Sequence, residues 1–432
     1  MESSYADFQP ERRSGKATRA DAQRGVLLVA AASLGLSGGY TALFAGTTGV
    51  FLLPIAGSLE VGRGVASSCM ALSSLGLAVS APLAGRLMDR YGHQRVIGYS
   101  ILCFVVTLVL LALGPLTPAA LGFKTFLLGL LGVATSPVGY LSILAHTFER
   151  RVGLAFGAAS IGAGIGAALA PLCASWVIRH HGWQTAYLLL AVAAAVLGFV
   201  ANAMLRRAMP AHTTEAFRTA TTACAPAIGD TPKEAFSNPR FWLIGLCVAL
   251  IAAVGLGSMV HVPALLSDQG VSPEMAAAGA AFSAIGLTTG RFVVGILLDV
   301  VAARVLAAVV FLLGAWGVAL LATATHSTPY PLLALGAALT GLLIGAEGDL
   351  VPFFVKRYFG LKSFGTVYGI LISLFCIGTL LGPSLYGVAY DHFHGYGVVM
   401  VAAGMACVGC ALAILLIGAY RYPDPQRATQ GA

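Results

Sequence analysis

Long apolar runs of about 20 residues or more recur along the whole sequence and constrain its fold more than any other feature. Hydrophobic residues make up 58% of the chain and charged residues only 10%, whereas soluble domains carry roughly 25% charged residues. The sequence therefore predicts an all-α membrane protein. We predict twelve transmembrane helices, at about 25–56, 64–88, 96–114, 119–147, 153–178, 183–205, 241–266, 273–298, 305–325, 331–355, 364–390 and 397–420.

Positive residues between the spans predict the orientation, because Lys and Arg favour the cytoplasmic side. One set of alternate connections holds Arg86, Arg90, Arg95, Arg150, Arg151, Arg206, Arg207, Arg218, Lys233, Arg240, Arg304, Lys356, Arg357 and Lys362. The opposite set holds only Arg63, Lys124 and Arg179. We therefore expect both tails, 1–24 and 421–432, to be cytoplasmic, and the first lacks the apolar core of a cleaved signal. The excess of Arg over Lys, with abundant Ala and Gly, favours a bacterial inner membrane.

The chain contains an internal repeat at an offset of 210 residues. The matching pairs are Gly76 with Gly286, Gly85 with Gly295, Leu87 with Leu297, and Asp89 with Asp299. We expect two pseudo-symmetric six-helix bundles, 25–205 and 241–420, joined by a cytoplasmic linker over 206–240. The repeat therefore places one copy of a short polar loop in each half.

Spans five and eleven share a pattern of small residues at an offset of 212. The pattern comprises Gly157, Gly166 and Pro171 in one span and Gly369, Gly378 and Pro383 in the other. Small residues let helix backbones approach closely, so we expect both spans to pack across the interface between the halves. Ordinary packing inside one bundle is the alternative.

The loop from Gly85 to Arg95 reads G-R-L-M-D-R-Y-G-H-Q-R. It resembles the G-x-L-x-D-R-x-G-x-x-R motif of the major facilitator superfamily, in which two bundles rock about a central site. The resemblance implies a conformational latch made of Gly85, Asp89, Arg90 and Arg95, with Asp299 in the degenerate second copy. Asp89 would cap a helix or pair with a basic group of the opposite half. A basic loop that only sets the topology is the alternative.

Arg291 lies eight residues before Asp299, which places it about 12 Å inside the membrane. Such a charge needs a partner or a ligand. Gly290-Arg291 with Gly295, and the stretch from Thr48 to Pro54, resemble the monocarboxylate and oxalate–formate carriers. In those carriers the arginine binds a substrate carboxylate, to which a guanidinium is well matched. Pairing with an acidic group of its own half remains the alternative.

Two departures from these carriers narrow the expected cargo. Many monocarboxylate carriers have a proton-accepting aspartate four residues before the arginine, where this chain has Leu287. Oxalate carriers have a lysine in span eleven, and the stretch 364–390 contains no Lys or Arg. A single buried cation favours a singly charged organic anion.

Three residues are candidates for proton coupling: Glu347, Asp349 and His146. The two acids lie in span ten, and either could be neutral in the membrane and ionise when a cavity opens. An ion pair with Arg291 or Arg357, as part of a gate, is equally compatible. Further candidates for substrate binding are Tyr40, Tyr140, Tyr368 and His261, each of which could instead be a packing residue.

The sequence predicts a secondary transporter, not an enzyme, and we expect a monomer with no cofactor, metal or nucleic acid. The paired glycines in the spans lack the strand and phosphate-facing loop of a nucleotide site. Symport with a proton, or exchange for a counter-anion, would drive the transport of a small organic anion across the membrane. The alternatives are a proton-coupled exporter of amphipathic compounds, favoured by the glycine–proline pattern of span five, and a receptor on a carrier scaffold.

Overall fold

The computed structural model describes residues 19–114, 117–148, 151–208, 229–324 and 327–422. Within these ranges the chain is almost entirely helical, with one isolated β-bridge between Gly229 and Gly360. The α-helices are α1 (Arg19–Ser37), α2 (Thr48–Leu59), α3 (Arg63–Tyr91), α4 (His93–Leu113), α5 (Pro118–Gly132), α6 (Pro137–Thr147), α7 (Val152–Ala208), α8 (Pro232–Ser237), α9 (Pro239–Asp268), α10 (Pro273–Leu297), α11 (Ala303–Ala322), α12 (Tyr330–Tyr358), α13 (Phe364–Phe393) and α14 (Gly397–Leu415). Most of the predicted tails and of the predicted linker lies outside the described residues.

Eleven helical segments of the described residues are long and apolar enough to cross a membrane. One of them, α7, has 57 residues and contains predicted spans five and six. At 1.5 Å per residue an unbroken helix of that length would extend about 86 Å, far beyond the 30 Å hydrocarbon core. Gly182 interrupts it with a non-helical backbone (φ 83°, ψ 165°) that glycine adopts readily. Counting α7 as two spans gives twelve, and the predicted all-α membrane fold is confirmed.

Predicted spans one and four are each broken near the middle. Span one passes from α1 through a π-helix (Tyr40–Ala45) to α2, and span four has a 3-10 turn between α5 and α6. The breaks face each other, because the N–H of Tyr40 donates a hydrogen bond to Thr135 Oγ1 at 3.1 Å. A side chain at Gly39 would lie 2.0 Å from the Thr135 carbonyl oxygen. The irregular backbone of the two breaks thus lies inside the protein, where its polar groups can form hydrogen bonds at membrane depth.

Helices within each half pack through small residues at matching positions. A methyl group at Gly129 of α5 would lie 1.8 Å from the Ser73 carbonyl oxygen of α3. In the second half, a methyl group at Gly341 of α12 would lie 1.9 Å from the Ser283 carbonyl oxygen of α10. The offset of about 210 is therefore visible in the packing as well as in the sequence. Across the halves, α3 packs against α13 and α7 against α10.

Candidate functional site

The two halves are joined at the end of the molecule that carries Asp89 and Asp299, which we call the Asp89 end. Asp89 Oδ1 accepts a hydrogen bond from the N–H of Gly365 at 3.1 Å. Its Oδ2 accepts from the N–H and the hydroxyl of Thr366 at 3.1 and 3.2 Å. These N–H groups belong to the first turn of α13, where they lack partners within the helix and where the helix dipole favours a negative charge. Arg90 lies over a neighbouring tyrosine ring, and Arg95 is exposed.

The second copy of the loop makes the corresponding contact with the first half. Asp299 accepts hydrogen bonds from the N–H groups of Gly153 and Leu154, at 2.9 and 2.8 Å. These residues form the first turn of α7, the repeat counterpart of α13. Each half therefore caps a helix of the other with one carboxylate, although the arginine of the first loop is replaced by valine in the second.

Glycines bring the two backbones into contact beside these caps. A methyl group at Gly85 would lie 1.9 Å from the Gly365 carbonyl oxygen, and one at Gly295 would lie 2.8 Å from the Cα of Gly157. Real Cβ atoms do not approach other atoms so closely. The Asp89 end therefore closes only because these positions carry no side chain.

The small residues of spans five and eleven divide between two kinds of interface. Gly157 faces Gly295 of the other half, and Gly369 lies against the Ala81 carbonyl of α3, also in the other half. Gly166 and Gly378 instead lie against the Ser37 and Ala249 carbonyls of their own halves. Both alternatives considered for the pattern therefore occur, at different positions along the same helices.

The side chain of Lys356 makes a further contact across the halves at the Asp89 end. Its Nζ donates a hydrogen bond to the Ala145 carbonyl at 2.7 Å and a second one to the Phe148 carbonyl. Both carbonyls lie at the C-terminal end of α6, where carbonyl groups need donors and a cation is favoured. From the sequence alone, Lys356 is predicted only to contribute to the membrane orientation.

The imidazole of His146 also lies at the Asp89 end. It belongs to the last turn of α6, where its Nδ1 is 2.7 Å from the Ser142 carbonyl oxygen. Its ring packs against those of His93 and Phe364, with centroid distances of 4.9 and 5.3 Å. His146 is thus part of the contact between α6 and α13 and does not line the cavity described next.

A valine at Gly365 is expected to shift the protein away from closure at the Asp89 end. The new side chain would meet the Gly85 carbonyl oxygen, which lies only 2.6 Å from the position of a Cβ. Overpacking of this kind costs about 1–3 kcal/mol, enough to change the closed population about tenfold. Double electron–electron resonance between spin labels at Arg86 and Lys362 should then show a longer distance.

The control for this experiment is Gly409→Val, because nothing lies within 4 Å of a Cβ built at Gly409. That variant should keep the distance distribution of the parent protein. An unchanged distribution in Gly365→Val would contradict the glycine contact as a condition for closure.

A cavity of about 270 Å³ lies between the halves, beside Arg291. Its walls come from α7 of the first half and α10 of the second. The lining residues are Ser160, Ile161, Gly164, Leu287, Thr288, Thr289, Arg291 and Phe292. The cavity is thus mainly apolar, with hydroxyl groups and one guanidinium.

Four polar side chains, which we call the polar cluster, meet behind this cavity: Ser160, Arg291, Asp349 and Tyr368. The hydroxyl of Ser160 donates a hydrogen bond to Asp349 Oδ1 at 3.0 Å, which links α7 of one half to α12 of the other. Arg291 and Asp349 interact electrostatically with each other and with Tyr368 of α13. No ion pair joins Arg291 to Asp349 in the described part of the chain.

Three polar atoms of this cluster are buried without a hydrogen-bond partner among the described residues: Arg291 Nε, Asp349 Oδ2 and Tyr368 OH. The side chains of Asp349 and Tyr368 are fully buried, at 0% exposure. A buried polar atom without a partner costs about 1–3 kcal/mol, so these three atoms keep hydrogen-bonding capacity that the described residues do not fill. Of the residues singled out from sequence, Arg291, Asp349 and Tyr368 therefore come together, and Ser160 joins them.

Glu347 lies on a different side of α12 from Asp349. Two residues along a helix correspond to a rotation of about 200°, so the two carboxyl groups point in nearly opposite directions. Glu347 is buried beside Cys247 of α9 and Cys407 of α14, inside the second half. Both of its carboxyl oxygens lack a hydrogen-bond partner in the described residues. The structure thus separates the two acids that the sequence placed together.

The remaining candidates lie within single halves. His261 contacts Tyr396 OH through Nδ1 and the Pro383 carbonyl through Nε2, both at 3.0 Å, inside the second half. Tyr40 donates a hydrogen bond to Ser73 at 3.0 Å, and Tyr140 is buried against Gly35 of α1. None of these three side chains lines the cavity beside Arg291.

Ser160 was missed because its signal in the sequence is weak. It is one of two serines in the apolar part of α7, three residues after Gly157, and serines are common in membrane helices. Only the three-dimensional arrangement shows that this serine faces the other half. Its position one turn from the Gly157–Gly295 contact explains how it reaches α12.

Comparisons with known proteins agree with this architecture. The family model of the Major Facilitator Superfamily matches residues 34–346 and 258–432. A "Gallate transporter" of Pseudomonas putida is 25% identical over 377 residues, which cover 81% of this chain and 82% of that protein. "Monocarboxylate transporter 13" of Bos taurus is 29% identical over 352 residues, 77% of this chain and 76% of that protein.

Among solved structures, the proton:xylose symporter XylE bound to 6-bromo-6-deoxy-D-glucose superposes with a TM-score of 0.70. The match covers 94% of this chain and 99% of that chain at 14% identity, so it supports the fold alone. The resemblance inferred from the Gly85–Arg95 loop is therefore confirmed at the level of the family. With twelve spans in two bundles and relatives that are transporters, the chain belongs to the Major Facilitator Superfamily and is a multi-pass membrane secondary transporter, not an enzyme.

Proposed function

We propose that this transporter carries small organic monoanions, chiefly monocarboxylates, by alternating access. The observation that carries the proposal is the Arg291 guanidinium, which lines a cavity between the halves and has no ion-pair partner among the described residues. A guanidinium in a site of low dielectric binds a carboxylate through two parallel hydrogen bonds. Two of the relatives are a gallate transporter and a monocarboxylate transporter, which supports this substrate class.

The size and lining of the cavity favour a substrate with an apolar body. Its volume is about 270 Å³, and Ile161, Leu287 and Phe292 contribute apolar walls. A carboxylate on Arg291 would leave the rest of the molecule against these side chains. Pockets of this kind, apolar with a few placed polar groups, are typical of small-molecule sites.

We propose Asp349 as the proton-coupling group and leave Glu347 outside the transport path. Asp349, on α12, interacts electrostatically with Arg291. The aspartate of many monocarboxylate carriers would instead lie on α10, at the position of Leu287. A proton on Asp349 removes the negative charge that competes with a substrate carboxylate for the guanidinium. Binding of the proton and binding of the anion are then mutually favourable, as symport requires.

The distribution of Lys and Arg supports an orientation with both termini and the Asp89 end in the cytoplasm. In this orientation the conformation described here is closed towards the cytoplasm by the two carboxylate caps and Lys356. The charge pattern and the bacterial relative favour the inner membrane of a bacterium, in which we propose that the protein works as a monomer.

Ligand-induced stabilisation of the purified protein is the direct test of the substrate class. Small monocarboxylates such as propionate and benzoate should raise the melting temperature by at least about 2 °C at saturation, because they bind the folded state alone. Chloride and the matching alcohols, which lack a carboxylate, are the controls. Stabilisation by amphipathic amines with no response to any carboxylate would instead favour the exporter alternative.

A further inference from the structure

The hydrogen-bonding roles of the polar cluster differ from one atom to the next. Arg291 Nε can only donate, whereas Asp349 Oδ2, when ionised, can only accept. The other oxygen of Asp349 is already engaged by Ser160 at 3.0 Å. Tyr368 OH can donate or accept. All three unpartnered atoms are buried, and their side chains, on α10, α12 and α13, interact electrostatically with one another.

A plain carboxylate satisfies only part of this cluster. It offers acceptors to Arg291 and to Tyr368, but it has no hydrogen to donate to Asp349 Oδ2. Its negative charge would also lie near a second, ionised carboxylate, which is unfavourable in a medium of low dielectric. A proton on Asp349 removes this conflict. A substrate with a hydroxyl group can donate a hydrogen bond to Asp349 Oδ2, which then has a partner even when Asp349 carries no proton.

We propose that the transporter prefers carboxylates that also carry a hydroxyl group, with the carboxylate on Arg291 and the hydroxyl hydrogen donated to Asp349 Oδ2. This selectivity rests on the proposed function, since it requires that a carboxylate bind at Arg291. Tyr368 donates to the carboxylate in the same complex and fixes its orientation. The substrate hydroxyl can donate to Asp349 Oδ2 when this carboxyl group is ionised and accept from it when it is protonated, so the preference is compatible with proton coupling at Asp349.

The experiment compares matched pairs of acids on the full-length protein in lipid nanodiscs, with Kd measured by isothermal titration calorimetry. The pairs are lactate with propionate, and 3- or 4-hydroxybenzoate with benzoate. In the parent protein the hydroxylated member of at least one pair should bind at least about 10-fold tighter, because a hydrogen bond to a charged group is among the stronger ones.

Two variants test the assignment to Asp349 and Tyr368. Asp349→Leu should reduce the preference to less than about threefold, because it removes the acceptor of the substrate hydroxyl. Tyr368→Phe should weaken both members of a pair about equally and so keep their ratio. Asp268→Asn, which changes an exposed carboxylate at the end of α9, is the control and should leave both affinities unchanged.

Equal affinities within every pair in the parent protein, or a preference that survives in Asp349→Leu, would overturn the proposed selectivity. Failure of the underlying function looks different. In that case neither member of any pair binds, or Arg291→Gln leaves the affinities of both members unchanged.

Discussion

Arg291→Gln is expected to lower the uptake of a radiolabelled monocarboxylate into proteoliposomes by at least about 30-fold. Removal of one partner of a buried, hydrogen-bonded charge pair costs about 2–5 kcal/mol, and each 1.4 kcal/mol is a factor of ten. The glutamine side chain would offer a single neutral amide in place of the charged fork. Because the substitution also leaves Asp349 without the neighbouring positive charge, binding of the anion should fail at any concentration practical for uptake.

Two further arginine substitutions show whether the loss of uptake comes from the lost charge, from the lost planar geometry or from a general defect in folding. Arg291→Lys keeps the positive charge but loses the planar bidentate donor, so we expect a loss of about tenfold. Arg207→Gln, at the exposed end of α7, removes an equal charge far from the cavity lining and should keep full uptake. If Arg291→Lys transports at the rate of the parent protein, the carboxylate does not bind at this guanidinium.

Asp349→Asn is expected to abolish accumulation driven by a proton gradient while exchange of labelled for unlabelled substrate continues. Electroneutral symport of one proton with one monoanion accumulates substrate about tenfold for each unit of pH difference, which corresponds to about 1.4 kcal/mol. Asparagine has the shape of aspartate and can still accept from Ser160, but it carries no titratable proton. Accumulation in this variant should therefore fall to the external concentration.

Glu347→Gln provides the matched comparison, since it makes the same chemical change on the other side of α12. Its carboxyl group lies among Cys247 and Cys407, away from the cavity, and the variant should accumulate substrate as the parent protein does. Loss of accumulation in Glu347→Gln with retention in Asp349→Asn would reverse the assignment. A parent protein that exchanges but never accumulates would be an anion exchanger, with no proton coupling at either acid.

Much of the architecture follows from local sequence because the bilayer imposes simple requirements. Runs long enough to cross a membrane predict the helices, and the predicted bounds of α3 and α10 agree with the structure to within a few residues. The offset of 210 predicts the paired loops, because a repeat must place Asp89 and Asp299 at equivalent points of two bundles. These inferences need only length, hydropathy and internal similarity.

The positions of the helix breaks and the directions in which side chains point depend on contacts between helices, which hydropathy does not encode. The π-helix after α1 forms where Gly39 passes the Thr135 carbonyl of another span, and no pattern within span one indicates that neighbour. Glu347 and Asp349 look alike in sequence, separated by one glycine, yet one faces the interior of its bundle and the other the opposite half. Their roles become distinguishable only when the rotation of α12 about its axis is known.

The break of α7 at Gly182 bears on how the first half moves. The arm before Gly182 carries both Ser160 of the polar cluster and the first turn capped by Asp299, and the arm after it is span six. Because a single glycine with a non-helical backbone joins the arms, it is a point about which the first arm can tilt relative to the second. An environment-sensitive dye at exposed Val192, on the second arm, would test whether occupancy of the polar cluster moves that arm as well.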